Sequence, residues 1–250
     1  MSDVLLAVES VTVRFGGLTA VDSMSVVVRP GAIYGIIGPN GAGKTTFFDT
    51  ISGHRRVSAG RIEFRGNDVT HEPAHRRARM GLARTFQLGG IIPDLTALEN
   101  VILGLDQARR SGAVLTDRRS DRAVALATLE RLGVGGAADQ PCVSLAAGTR
   151  RLVEVARTIA AGAHLVLLDE PGAGVHETES RELVRVIRAL AGEGTAFLLI
   201  DHSMDLVFAA CEDVTVMNLG KRIANGPPEA IRNDPRVLEA YLGTTAMRRA

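Results

Sequence analysis

The run Gly38-Pro39-Asn40-Gly41-Ala42-Gly43-Lys44-Thr45-Thr46 narrows the choice of fold more than any other stretch of this 250-residue chain. Its glycines let backbone N–H groups turn inward around a cluster of negative oxygens, and a helix beginning near Gly43 would aim the positive end of its dipole at the same point. Lys44 is one of two lysines among 29 basic residues. A compact, mobile ammonium reaches between the outer phosphates of a nucleotide in a way that a planar guanidinium fork does not. Thr45 is placed to hold Mg²⁺ through its hydroxyl. Upstream, residues 32–37 form a short apolar run of the kind that makes a buried parallel strand, so strand, loop and helix follow in the order this phosphate-binding motif requires.

The rest of the chain fits an α/β protein. Residues 5–15, 25–28 and 60–64 read as strands with turns at Pro30-Gly31 and Gly66-Asn67, a β-rich opening that predicts a small antiparallel sheet beside the nucleotide core. Residues 96–105 and 121–132 have helical spacing, with breaks at Ser111-Gly112 and 133–136, and predict a helical lobe. Then helix and strand alternate: 148–160, 165–168, 177–191 and 196–200. That alternation is the signature of a parallel sheet. Residues 214–217 and 222–224 suggest a closing hairpin, and 235–242 a short helix. The net charge of +1 gives no basic field for nucleic acid, with arginines and acids interspersed as on solvated helix faces. The opening residues lack the basic segment of a signal peptide, and no apolar stretch is long enough to span a bilayer. Cys142 and Cys211 are isolated and read as small packed hydrophobes.

Two motifs invite chemistry. The strand at 164–168 ends in Asp169-Glu170-Pro171: the first carboxylate can join the magnesium shell beside the phosphate loop, and the second can orient or deprotonate a water attacking the γ-phosphate. His71-Glu72-Pro73-Ala74-His75 matches the pattern of zinc proteases, which needs both imidazoles on one helix face. Pro73 forbids that helix interior, so the stretch is read instead as leading into an exposed, arginine-rich helix over 74–80.

With these residues the chain resembles the nucleotide-binding subunit of an ABC transporter over about residues 4–243. Gln87 in Arg84-Thr85-Phe86-Gln87 matches that family's Q-loop, His202 in Leu199-Ile200-Asp201-His202 its switch histidine, and Phe15 the aromatic it places against adenine. The resemblance implies a P-loop NTPase of the ABC ATPase fold: a RecA-like core, a small antiparallel β subdomain and an α-helical subdomain. One domain would span 1–250, with core and β subdomain in about 1–87 and 160–250 and the helical part, signature included, in 88–159. ATP and Mg²⁺ are the implied cofactors. Lys44, Glu170 and His202 would serve catalysis, Phe15, residues 38–46 and Gln87 would bind ATP, and Thr45, Gln87 and Asp169 would hold Mg²⁺.

The family signature, Leu-Ser-x-Gly-Gln at the start of a helix facing the partner subunit's γ-phosphate, reads here Leu145-Ala146-Ala147-Gly148-Thr149. The serine hydroxyl and terminal glutamine are gone, while the backbone amides and helix dipole remain. His176 replaces the aspartate common in the family's D-loop. Ala146, Arg14-Phe15-Gly16-Gly17-Leu18, Arg84-Thr85-Phe86-Gln87, Leu199-Ile200-Asp201-His202-Ser203-Met204 and the tail over 233–243 resemble the branched-chain amino acid importers. That branch implies a second ATPase or a copy of this chain, membrane permeases, an external substrate-binding protein and a place on the cytoplasmic face of the membrane. It does not choose the cargo. Two other readings use the same residues: a soluble ABC ATPase that remodels a cytosolic complex, or a scaffold gated by ATP with little hydrolysis.

Overall fold

A computed structural model describes residues 4–85, 90–112 and 120–247. Its central sheet is built from the apolar runs. Strands β3 (Ile33–Ile37), β6 (Leu82–Arg84), β7 (Leu165–Asp169), β8 (Ala196–Ile200) and β9 (Asp213–Asn218) are parallel, and β10 (Lys221–Gly226) closes one edge antiparallel to β9, in the order β10-β9-β3-β8-β7-β6. A parallel sheet is covered on both faces, so its inner strands carry apolar residues at every position. All residues of β3, β7 and β8 are buried. The two-residue period of the strand sends Ile33, Val166 and Phe197 into one core and Ile36, Leu167 and Leu198 into the other.

A second sheet, β1 (Leu6–Phe15), β2 (Leu18–Val28), β4 (Ala59–Phe64) and β5 (Asn67–Asp68), is antiparallel in the order β2-β1-β4-β5. β2 begins at Leu18 and not at residue 25 as the pattern suggests, because the Gly16-Gly17 turn folds it straight back with Leu18 opposite Phe15. Register shifts along the pair break the strict alternation that would have shown it. Helix α1 (Lys44–Ile51) packs Phe47, Phe48 and Ile51 into the core that joins the two sheets.

The opposite core gathers α3 (Ala97–Ser111), α4 (Asp121–Arg131), α5 (Ala147–Ala160), α6 (Glu177–Gly192) and α7 (Met204–Ala210). α3 starts at a capping box, Thr96 with Glu99, and stops at Gly112 in the left-handed region, the break its sequence marks. α7 and α8 (Pro228–Arg232) are too short to display a period and were not visible in the pattern. The last helix, α9 (Pro235–Met247), runs past residue 242. Helix α2 (Ala74–Arg79) corrects the expectation of an exposed arginine-rich face: Arg77 is 1% exposed, its guanidinium donating to the carbonyls of Thr50 and Ile51 at the end of α1 and of Thr70 and Glu72. Pro73 stands at the N-cap of α2, so His71 and His75 do not share a helix. Cys142 and Cys211 are both buried. Among the described residues no helix is long and apolar enough to cross a membrane.

Candidate nucleotide site

The loop between β3 and α1 is wedged against its neighbours. Gly43 caps α1 with φ +99°, and a Cβ there would lie 2.3 Å from the Ala20 carbonyl oxygen; at Gly38, φ +154°, it would lie 2.1 Å from that of Met217. Glycine is therefore required at both positions by contact as well as by conformation. Lys44 is 6% exposed, and its Nζ donates to the carbonyls of Gly38 at 2.7 Å and Pro39 at 3.1 Å. Burial pulls its pKa below the ordinary lysine value, while the charges of Glu170 and Asp169 oppose the shift.

Above the loop opens a cavity of about 550 Å³. Asn40 through Thr46 form its floor, Glu170 and His202 stand at the ends of β7 and β8, and Leu18 and Leu219 are on its rim. Glu170 has φ +49° and donates its N–H to the Ile200 carbonyl at 2.7 Å. A non-glycine residue in that region is held there by its surroundings. The brace is Asp201, 5% exposed, whose two oxygens accept from the amides of Gly172 and Ser203, each at 2.8 Å. One carboxylate thus ties the turn after Glu170 to the turn after His202, and the two side chains meet with Glu170 Oε1 2.6 Å from His202 Nε2. In the sequence Asp201 was legible only as the flank of His202.

Asp169 is 4% exposed at the end of β7, and its charge acts on Lys44. Its Oδ2 accepts from Arg84 Nη2 at 2.8 Å, whereas Oδ1 is buried and, among the described residues, has no hydrogen-bond partner. A buried carboxylate oxygen left open at the end of β7, with the Thr45 hydroxyl in the loop that floors the cavity, offers hard oxygen donors that a divalent cation satisfies, so the residues present fit Mg²⁺.

Other residues singled out in the sequence lie elsewhere or outside the description. Phe15, 40% exposed at the end of β1, does not line the cavity; the Arg55 guanidinium sits 4.9 Å above its ring. Gln87 lies outside the described residues. Leu145, Ala146, Ala147, Gly148 and Thr149 do not line the cavity either. They open α5, where Ala146 at the N-cap offers no side-chain cap. A carboxylate from another helix stands in: Glu179 Oε1 accepts from the Gly148 amide at 3.3 Å, and its Oε2 from the His176 amide at 3.1 Å. One turn on, Arg151 Nη2 donates to the Glu170 carbonyl at 3.3 Å, which joins α5 to the residue that follows β7.

A glycine-cradled loop on a parallel sheet, its buried lysine and two strand-end carboxylates define a P-loop nucleotide-binding protein. The chain belongs to the ABC transporter family, whose profile matches residues 21–173; the profile of the branched-chain amino acid ATP-binding cassette transporters matches residues 221–246. It is 39% identical to the high-affinity branched-chain amino acid transport ATP-binding protein LivG of Salmonella typhimurium, over 97% of this chain and 99% of that protein. It is 36% identical to BraF of Pseudomonas aeruginosa, which carries the same description, over 97% and 99%. Its fold matches the ADP conformation of MJ1267, an ATP-binding cassette of an ABC transporter, with a TM-score of 0.86 and 28% identity over 97% of this chain and 100% of that one. The α/β ABC ATPase fold and the ATP-hydrolysing activity of the family follow.

Proposed function

We propose that this chain is the ATPase subunit of an importer of the branched-chain amino acid type, and that it couples ATP-driven closure of a dimer to uptake through membrane permeases. The observation that carries the reading is the convergence of Lys44, Glu170 and His202 on one cavity, with the open oxygen of Asp169 one residue before Glu170. Lys44 and the loop amides neutralise charge on the phosphate oxygens, and Thr45 with Asp169 would hold Mg²⁺, joined by Gln87 from the family pattern. Bound there, the ion would supply Lewis-acid neutralisation of phosphate charge. Glu170 would orient or deprotonate the attacking water. His202 exchanges its contact with Glu170 for the γ-phosphate, and Phe15 turns its ring to adenine. Most of the catalysis is positioning.

Leu145–Thr149, away from this chain's own cavity, would meet the nucleotide of a second subunit through the amides of α5, so two subunits close head to tail around two ATP molecules. The partner is a second copy or a related ATPase. A separate cavity of about 420 Å³, lined by Arg84 of β6 and Thr85 after it, His75 of α2 and Glu154 and Arg157 of α5, lies between the sheet core and helices α3 and α5. It supports the division into core and helical subdomain and offers a groove for a cytoplasmic permease helix. The chain would then sit on the cytoplasmic face of the membrane, held by permeases that an external substrate-binding protein feeds. Affinity capture of the tagged chain from gently solubilised membranes of its host tests this. Recovery of multi-span permeases is expected; recovery from the soluble fraction alone, with cytosolic partners, would favour a remodelling ATPase.

A further inference from the structure

Arg84 ends β6, with its side chain 7% exposed. Nη1 donates to Asp49 Oδ1 at 2.5 Å and to Ser52 Oγ at 3.2 Å, both at the far end of the helix that begins with Lys44; Nη2 donates to Asp169 Oδ2 at 2.8 Å. A single planar guanidinium therefore spans the phosphate-loop helix and the strand that ends in Asp169. Because the two nitrogens are rigid relative to each other, the bridge fixes the position of Asp169 Oδ2 against α1, which two independent contacts from a flexible ammonium would not do. It also occupies one oxygen and leaves the other: Oδ1 is the buried one without a partner among the described residues.

We infer that Arg84 is a positioning residue for the magnesium ion, presenting Asp169 Oδ1 toward the phosphate loop by holding Oδ2 to Asp49 and α1. The inference rests on Asp169 being a magnesium ligand. Removing a partner from the shell behind a metal ligand lowers metal affinity without touching the other nucleotide contacts. A merely structural Arg84 would weaken nucleotide binding equally with and without the metal.

The test is the affinity of the full chain for a fluorescent ADP derivative, measured in EDTA and across a MgCl₂ series, in the wild type and three variants. Arg84→Lys keeps the charge and loses the fork. It is expected to raise the MgCl₂ concentration giving half-maximal tightening by about tenfold while affinity in EDTA stays within about twofold. Asp49→Asn, at a partly exposed side chain, frees the α1 end of the bridge and is expected to shift the midpoint the same way by less. Asp169→Asn is expected to abolish the magnesium effect. An unshifted midpoint in Arg84→Lys, or equal losses with and without magnesium, overturns the inference. If Arg84→Lys does not fold, an unshifted midpoint in Asp49→Asn overturns it. Wild-type magnesium dependence in Asp169→Asn would instead remove Asp169 from its proposed role, a failure of the underlying reading that is distinguishable from failure of the bridge.

Discussion

Lys44 is a buried cation whose charge is costly in the free protein and useful once phosphate arrives. Burial lowers its pKa, and bound phosphates stabilise the ammonium, so binding is linked to proton retention. Raising the pH through the lowered value removes the charge from the free state, and affinity for ADP falls. The fall is expected to begin below the range in which an ordinary lysine titrates and to be read by fluorescent-ADP titration from about pH 8 to about pH 10.5. Lys44→Ala should bind weakly with no such slope, and a wild-type affinity flat across that range would separate the lysine from phosphate binding. Arg77 is a different kind of buried cation. Burial lowers its pKa to about 10, and four main-chain carbonyls, two at the negative end of α1, satisfy it. Arg77→Met strands those carbonyls and is expected to cost about 3 kcal/mol in denaturant unfolding, with Arg77→Lys losing less. No loss in the methionine variant would mean that water replaces the guanidinium at no cost.

At the scale of elements, α5 shows how a lost side chain can be replaced from outside the helix. Ala146 cannot cap it, and Glu179 of α6 lends a carboxylate to the Gly148 amide and to His176 at once. Glu179→Ala should lower stability by about 1 kcal/mol in thermal unfolding, while Glu179→Gln, which can still accept, loses less. Equal stability in all three proteins would show that the contact is incidental. These elements also mark what could be read from the sequence. The phosphate loop, the acid pair and the parallel strands were legible because each is a local pattern: glycine spacing, adjacent carboxylates, an uninterrupted apolar run. Glu179, Asp201, Arg84 and Arg77 were not, since their partners lie 31, 29, 85 and 27 residues away in the chain and a single sequence carries no trace of the pairing. The burial of Arg77 was misread for the same reason, because an arginine-rich segment looks solvated until the carbonyls of α1 are placed around it. The C-terminal helix repeats the point: Tyr241 of α9 packs against the core that gathers α3 to α7, which ties the segment matching the branched-chain profile to the rest of the fold.

Across the whole molecule, the two cores meet at the central sheet, and the nucleotide cavity opens at the carboxyl ends of its strands, where open α/β sheets place their ligands. The residues that open α5 do not line this cavity, so in the proposed mechanism one chain holds half of each site. Catalysis and assembly then become one event: ATP completes the dimer, and loss of the γ-phosphate releases it. In the proposed mechanism Glu170 is the residue on which the two can be separated, since an amide there keeps shape and most contacts but cannot take a proton from water. The most direct measurement is the molar mass of purified Glu170→Gln by size-exclusion chromatography with light scattering, with ATP and MgCl₂, alongside phosphate release. If the partner in the complex is a second copy, the variant should form a stable dimer in ATP and revert to monomer in ADP, with turnover reduced by at least about a hundredfold. Wild-type turnover by Glu170→Gln would contradict the account, and so would a monomer in ATP when mixed with every ATPase recovered in the membrane capture.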